Sequence, residues 1–315
     1  MINGFRVSNL NDPDDDDDGI NDANDKFVWD ATNGLSTQIP LNLPLLNTDP
    51  GTGFFGLGFT GLMSNGTTDY LDLIQDEDNS STEIIAGGAV GLFTLNGVPN
   101  GDPYKAINNA KNGFQFGINT NSNTNTFIVE TRILGPVFTS APDNVQSVGF
   151  FIGNGDQDNY LKMTVFANGG NPAIQVLQET NGNPNSTSFN IPGLTTASEI
   201  TFFMKIDPSS GLVQPQYALG NGSAINLGGQ RQLAGSALTA LQANNQAMAI
   251  GIISTTNNSN PNFDATWDSF EVYFDNAPST TPAQLSSISN LTMEQGTQFI
   301  TVSYTHLTLP TTPYV

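Results

Sequence analysis

Eleven short runs rich in β-branched and aromatic residues recur along the chain, each bounded by clusters of Asn, Gly or Pro. They are Gly53 to Thr60, Ala89 to Leu95, Gly113 to Ile118, Thr126 to Leu134, Ser147 to Ile152, Tyr160 to Phe166, Ala173 to Gln178, Ile200 to Ile206, Val213 to Leu219, Met248 to Ser254 and Ala265 to Phe274. Runs of this length and spacing predict strands, and the turn residues between them suit hairpins and exposed loops rather than helices. With 38 Asn and 32 Gly among 315 residues, the expected fold is all-β, an antiparallel β-sandwich or jelly roll with at most one or two short helices. Alternation in Tyr160–Phe166 puts Leu161, Met163 and Val165 on a core face and Tyr160, Lys162 and Thr164 on a solvent face. Ser236 to Gln246 has good helix formers after a Ser that could cap them, with Leu238 and Leu241 on one side, and predicts the short helix. A repeat of 20 to 50 residues, the mark of a solenoid or propeller, is not visible.

Charge and composition then exclude several classes. Asp and Glu number 29 against 8 Lys and Arg, a net charge of −21, which repels nucleic acid and anionic membrane surfaces. Cysteine is absent, removing disulfides, thiolate catalysis and cysteine-based metal sites. The most apolar window, Ala247 to Ile253, is strand-sized and far short of the roughly 18 residues of a spanning helix, so membrane insertion is not expected. Met1 to Val7 lacks the apolar stretch of a secretory signal. The sole histidine is His306.

The most specific motif is acidic. Residues 14 to 25 read D-x-D-x-D-G-x-x-D-x-x-D, with Asp14, Asp16, Asp18, Asp22 and Asp25 at positions 1, 3, 5, 9 and 12 of the frame and Gly19 at position 6. Calcium takes six to eight hard oxygen ligands; carboxylates at alternate positions wrap one ion and the glycine permits the sharp turn. The segment resembles the loops of thrombospondin type 3 repeats. That resemblance implies ligation by the five Asp carboxylates and by a backbone carbonyl at Ile20, with calcium as the bound cofactor. A solvated acidic segment is the competing reading, because five consecutive Asp satisfy part of the pattern by themselves.

In the body, Leu57 to Asp72, Asn112 to Gly117, Ser147 to Lys162 and the closing Trp267-Asp-Ser-Phe-Glu-Val272 resemble concanavalin A-like (laminin G-like) sandwiches of large secreted bacterial proteins, over roughly Phe27 to Asn276. Ala249-Ile-Gly-Ile252 precedes the final strand as it does in that superfamily. The resemblance implies a polysaccharide or glycan partner and an extracellular or cell-surface location. Candidate ligand or second-metal residues are Asn154, Asp156 and Asp158, whose alternate spacing equally suits an Asx turn, and the weaker pair Asp69 and Asp72. Trp267, Tyr160 and Tyr273 are the candidates for stacking on sugar rings. Retaining glycosidases on this sandwich carry an E-x-D-x-x-E strand, which is absent, and the basic residues are scattered singly. The expectation is therefore a non-catalytic carbohydrate-binding or adhesion module with structural calcium. Its rivals are a structural spacer without a glycan site and a glycan-active hydrolase or lyase.

The expected organisation is an acidic segment at 1–26, the sandwich at 27–276, a Pro/Ser/Thr linker at 277–284 and a stretch at 285–301 that resembles the opening of an immunoglobulin-like module. Residues 302–315 resemble the translation of a sequencing adapter. Further immunoglobulin-like modules of the same parent chain are the expected covalent neighbours.

Overall fold

The computed structural model describes residues 12–45, 57–70, 83–87 (backbone only), 91–138, 145–256 and 263–275. Asp72, the stretch 53–56 and the expected linker, immunoglobulin-like opening and tail lie outside the described residues.

Two antiparallel sheets face each other, as the strand spacing predicts. The first sheet holds β1 (Leu41–Leu43), β3 (Glu83–Gly87), β4 (Leu92–Asn96), β6 (Phe127–Leu134), β11 (Glu199–Asp207), β12 (Leu212–Leu219), β13 (Ile225–Asn226), β14 (Arg231–Gln232) and β16 (Ala265–Phe274). Its order is β13-β12-β11-β6-β16-β4-β3, with β1 also on β16 and β14 on β12. The second holds β2 (Gly61–Leu62), β5 (Gly113–Ile118), β7 (Ser147–Gly153), β8 (Tyr160–Phe166), β9 (Ala173–Thr180), β10 (Asn183–Phe189) and β15 (Met248–Thr255), in the order β10-β9-β8-β7-β15-β5-β2.

The core lies between the sheets and is rich in aromatics. Phe150 of the second sheet stacks on Phe202 of the first at 6.3 Å, and Phe116 meets Phe270 edge-on at 5.7 Å. Trp267 is fully buried, and its indole N–H donates across the core to the Gly149 carbonyl at 3.1 Å. The sheet approaches the N-terminal segment so closely that a Cβ on Gly117 would lie 2.5 Å from the Gly34 Cα.

Two expectations need correction. β8 does not have a wet face: Tyr160, Lys162 and Thr164 are 0%, 2% and 0% exposed. The reason is a loop, Gly101–Ala110, whose Tyr104 packs with Met63, Phe151, Tyr160, Leu177 and Ile253 on the outer side of the second sheet. The helix, α1 (Gly235–Gln242), starts one residue before Ser236, and no side chain caps its N-terminus; its buried residues are Ala237, Ala240 and Leu241, with Leu238 packed at the margin.

Candidate functional site

The acidic segment winds into a compact loop seated on the sandwich. Asp14 accepts from the Asp18 N–H at 3.1 Å and the Gly19 N–H at 2.9 Å, while Asp18 accepts from the Ile20 N–H at 2.7 Å and from the Asn33 side-chain amide. Gly19 sits at φ +91°, a left-handed conformation that a side chain would strain. This winding brings carboxylate oxygens of Asp14, Asp16 and Asp18 within 4.8 Å of one another. Asp22 is buried and accepts from the Asp15 N–H at 3.0 Å. Ile20 lies at the exposed end, 39% accessible.

Asp25 joins the loop to the body. It is 3% exposed; one oxygen accepts from the Phe27 N–H at 2.8 Å, and the other, Oδ2, is buried without a hydrogen-bond partner among the described residues. Burial raises its pKa to about 7; the Phe27 N–H works against that rise, and the charges of Asp16 and Asp18 add to it. Next to it the Lys26 carbonyl accepts from Gln115 Nε2 at 2.7 Å, an amide that also donates to Leu62 and Gly155. Ser64 Oγ donates to the Ala23 carbonyl at 2.7 Å.

The loop between β7 and β8 is an Asx turn. The Asp156 N–H donates to Asn154 at 3.2 Å, the Asp158 N–H to Asp156 at 2.9 Å, and the Asn154 amide to Asp156 at 2.5 Å. Asp158 further accepts from Asn108 Nδ2 at 2.7 Å. Asn154 and Asp156 thus accept within the turn, while the Asp158 side chain accepts from Asn108, fifty residues away in sequence. Asp69 is half-buried beside the buried Tyr70, whose hydroxyl donates to the Asn108 carbonyl at 3.1 Å.

Of the three stacking candidates, Trp267 and Tyr160 are corrected. Trp267 lies in the core, and Tyr160, 0% exposed, donates its hydroxyl to Glu179 Oε2 at 3.1 Å beneath the 101–110 loop. Tyr273 is half-buried on the outer face of the first sheet and donates to Glu130 Oε2 at 2.7 Å. The register surrounds it with polar and apolar neighbours: Phe203, Glu130 and Glu271 form one outward row, and Lys205, Ile128 and Tyr273 the next. Burial raises the Glu130 pKa, the Tyr273 hydroxyl opposes the rise, and Glu271 adds to it.

The sequence reading missed Glu179, Lys162 and Asp102. Glu179 is 1% exposed, with Oε1 lacking a donor among the described residues and a pKa raised by burial to about 7. Lys162 and Asp102 form a buried ion pair at 3.4 Å. Nothing local flags Lys162 and Glu179, because the loop that buries them, which carries Asp102, lies some fifty or more residues away in sequence.

No family model matches the sequence, and no curated protein does. Among solved structures, the chain is similar to the GH43 protein BlXynB of Bacillus licheniformis, at 14% identity and a TM-score of 0.43, covering 58% of this chain and 33% of that one. It is similar to metal-free lectin I-B4 of Griffonia simplicifolia, at 9% and 0.41, covering 63% and 94%. It is also similar to the CBM2 module of the evolved Dit of Lactobacillus casei BL23 phage J-1, at 12% and 0.42, covering 74% and 93%. The chain spans about a third of the length of the GH43 protein BlXynB. The expectation that the chain is not an enzyme is corrected on this finding: GH43 and xylosidase structures recur among those it is similar to. No helix of the described residues is long and apolar enough to cross a membrane.

Proposed function

We propose that the protein is a calcium-stabilised, carbohydrate-binding β-sandwich of the concanavalin A-like kind, working outside the cell. Asp25 carries this reading. A buried carboxylate oxygen without a donor among the described residues, in a group whose pKa the charges of Asp16 and Asp18 help to raise, is costly unless a cation completes it. The donor set suits calcium, because every side chain offered is a hard carboxylate oxygen. Asp14, Asp16, Asp18, Asp22 and Asp25 would hold the ion, with the Ile20 carbonyl as the backbone ligand. The ion would tie the loop to the sandwich and supply no reaction chemistry.

The glycan surface in this reading is the outer face of the first sheet at Tyr273. An amphipathic ring beside Phe203 offers apolar area, and Glu130, Glu271 and Lys205 offer acceptors and donors for sugar hydroxyls. Residues beyond 276 would tether the sandwich to immunoglobulin-like modules of the same parent chain. A panel of insoluble and soluble neutral polysaccharides, tested in calcium, checks the reading. Saturable binding of at least one polysaccharide, weakened about tenfold or more in Tyr273→Ala, is expected; absence of binding across the panel contradicts it.

A further inference from the structure

The outer side of the second sheet is built like a site and covered by the chain itself. Its floor is apolar and aromatic, from Phe151, Tyr160, Leu177 and Ile253. Three polar groups stand in that floor: Lys162, 2% exposed; Glu179, 1% exposed with Oε1 unpartnered; and Thr164, fully buried with Oγ1 unpartnered among the described residues. Thr164 Oγ1, and the Glu179 carboxyl, which otherwise meets the Tyr160 hydroxyl and the Lys105 N–H of the covering loop, lie beside aromatic rings and match the face and hydroxyl groups of a sugar.

The loop Gly101–Ala110 closes this floor with a ring and a carboxylate two residues apart. Tyr104 packs on the aromatic cluster, and Asp102 Oδ1 reaches Lys162 Nζ at 3.4 Å. Both ends are anchored by neutral bonds, and near the second end Asn108 donates to Asp158 and accepts from Asn65 and Tyr70. The Gly101 N–H donates to the Thr256 carbonyl at 2.7 Å, and Ala110 exchanges bonds with the Gln157 side chain at 3.0 and 2.9 Å. Between the anchors Lys105, Ala106 and Ile107 are exposed, and Lys105 holds φ +57°, a strained conformation for a non-glycine residue.

We propose that Gly101–Ala110 is a strap over a second carbohydrate subsite, and that this subsite takes a uronate residue, whose ring replaces Tyr104 and whose carboxylate replaces Asp102 on Lys162. The requirement for an acid follows from Lys162. Lifting Asp102 leaves the buried Lys162 ammonium with only the partly protonated Glu179 carboxyl near it, which a neutral sugar cannot repair and an anionic one does. The Glu179 pKa near 7 keeps that carboxyl partly protonated and limits repulsion of the incoming acid. A net charge of −21 disfavours a densely charged polyanion, so the fitting ligand is an otherwise neutral polysaccharide bearing isolated uronates. The subsite deepens the carbohydrate reading on a different face from Tyr273, so the two stand or fall separately.

The test uses methyl β-glucuronide and methyl β-glucoside as probes, followed by NMR at physiological salt. In Tyr104→Ala the glucuronide is expected to bind at least tenfold more tightly than in the parent, with no gain for the glucoside. Adding Lys162→Met is expected to abolish the gain, and Tyr273→Ala to leave it intact. In the unmutated chain, saturating glucuronide is expected to speed amide hydrogen exchange at Asp102 and at residues 104–107. Equal gains for both glycosides, or unchanged exchange in the unmutated chain together with no gain in Tyr104→Ala, would overturn the proposal.

Discussion

At the scale of single residues, burial decides what chemistry each side chain has left. Glu179 shows this through pH. Its pKa in the folded protein is raised from the ordinary 4.5 to about 7, burial being the largest cause, so the folded state holds the proton more tightly than the unfolded chain. The stability this gives is fully present below about 4.5 and is lost as pH rises through about 7. Glu179→Gln is therefore expected to gain stability over the parent between pH 5 and pH 8, by up to about 3 kcal/mol; parallel melting curves at both pH values would contradict this. Trp267→Ala is expected to cost about 3 to 5 kcal/mol in denaturant unfolding, a core truncation, and to leave glycan binding per folded molecule unchanged. Spacing singled out Asp25 as a candidate, whereas the burial of Trp267 and Tyr160 was not legible. Alternation identifies which residues share a face but says nothing about whether a distant loop covers that face.

At the scale of elements, the strands that pack on both sides were the easiest to read. β5 and β8 have the bounds the apolar runs predict, since β-branched and aromatic residues are what two buried faces require; β16 matches its run too, although its outer face is only half-buried. β10 escaped because it is an edge strand of polar residues, Asn183–Phe189, with a mostly exposed surface. Its signal was the preceding turn: Asn181 and Gly182 both adopt positive φ and join Thr180 to its partner Asn183 in a two-residue hairpin. Close approach of elements sets a further limit. Gly117→Ala would place a Cβ 2.5 Å from the Gly34 Cα and 3.0 Å from the Ala247 Cβ. It is expected to cost about 1 to 3 kcal/mol as overpacking, measured as a lower urea midpoint.

At the scale of the whole molecule, the acidic loop and the sandwich are joined through buried groups. Asp25, the Lys26 carbonyl on Gln115 and the Ala23 carbonyl on Ser64 fasten the loop to strands and turns of the second sheet. An ion held there would thus stabilise the sandwich as well as the loop. Spacing displayed the acidic pattern; the seating of the loop was not legible, because it depends on Ser64 and Gln115 far along the chain. The most direct test of the account is thermal unfolding of the parent and Asp25→Asn in calcium and in chelator. Calcium at about a hundred times its Kd is predicted to raise the parent's main transition by roughly 5 to 10 °C. Asp25→Asn is predicted to lose that rise and, in chelator, to melt no lower than the parent, since it removes an unpartnered buried charge. No calcium-dependent rise in the parent, or an equal rise in both proteins, would contradict the account.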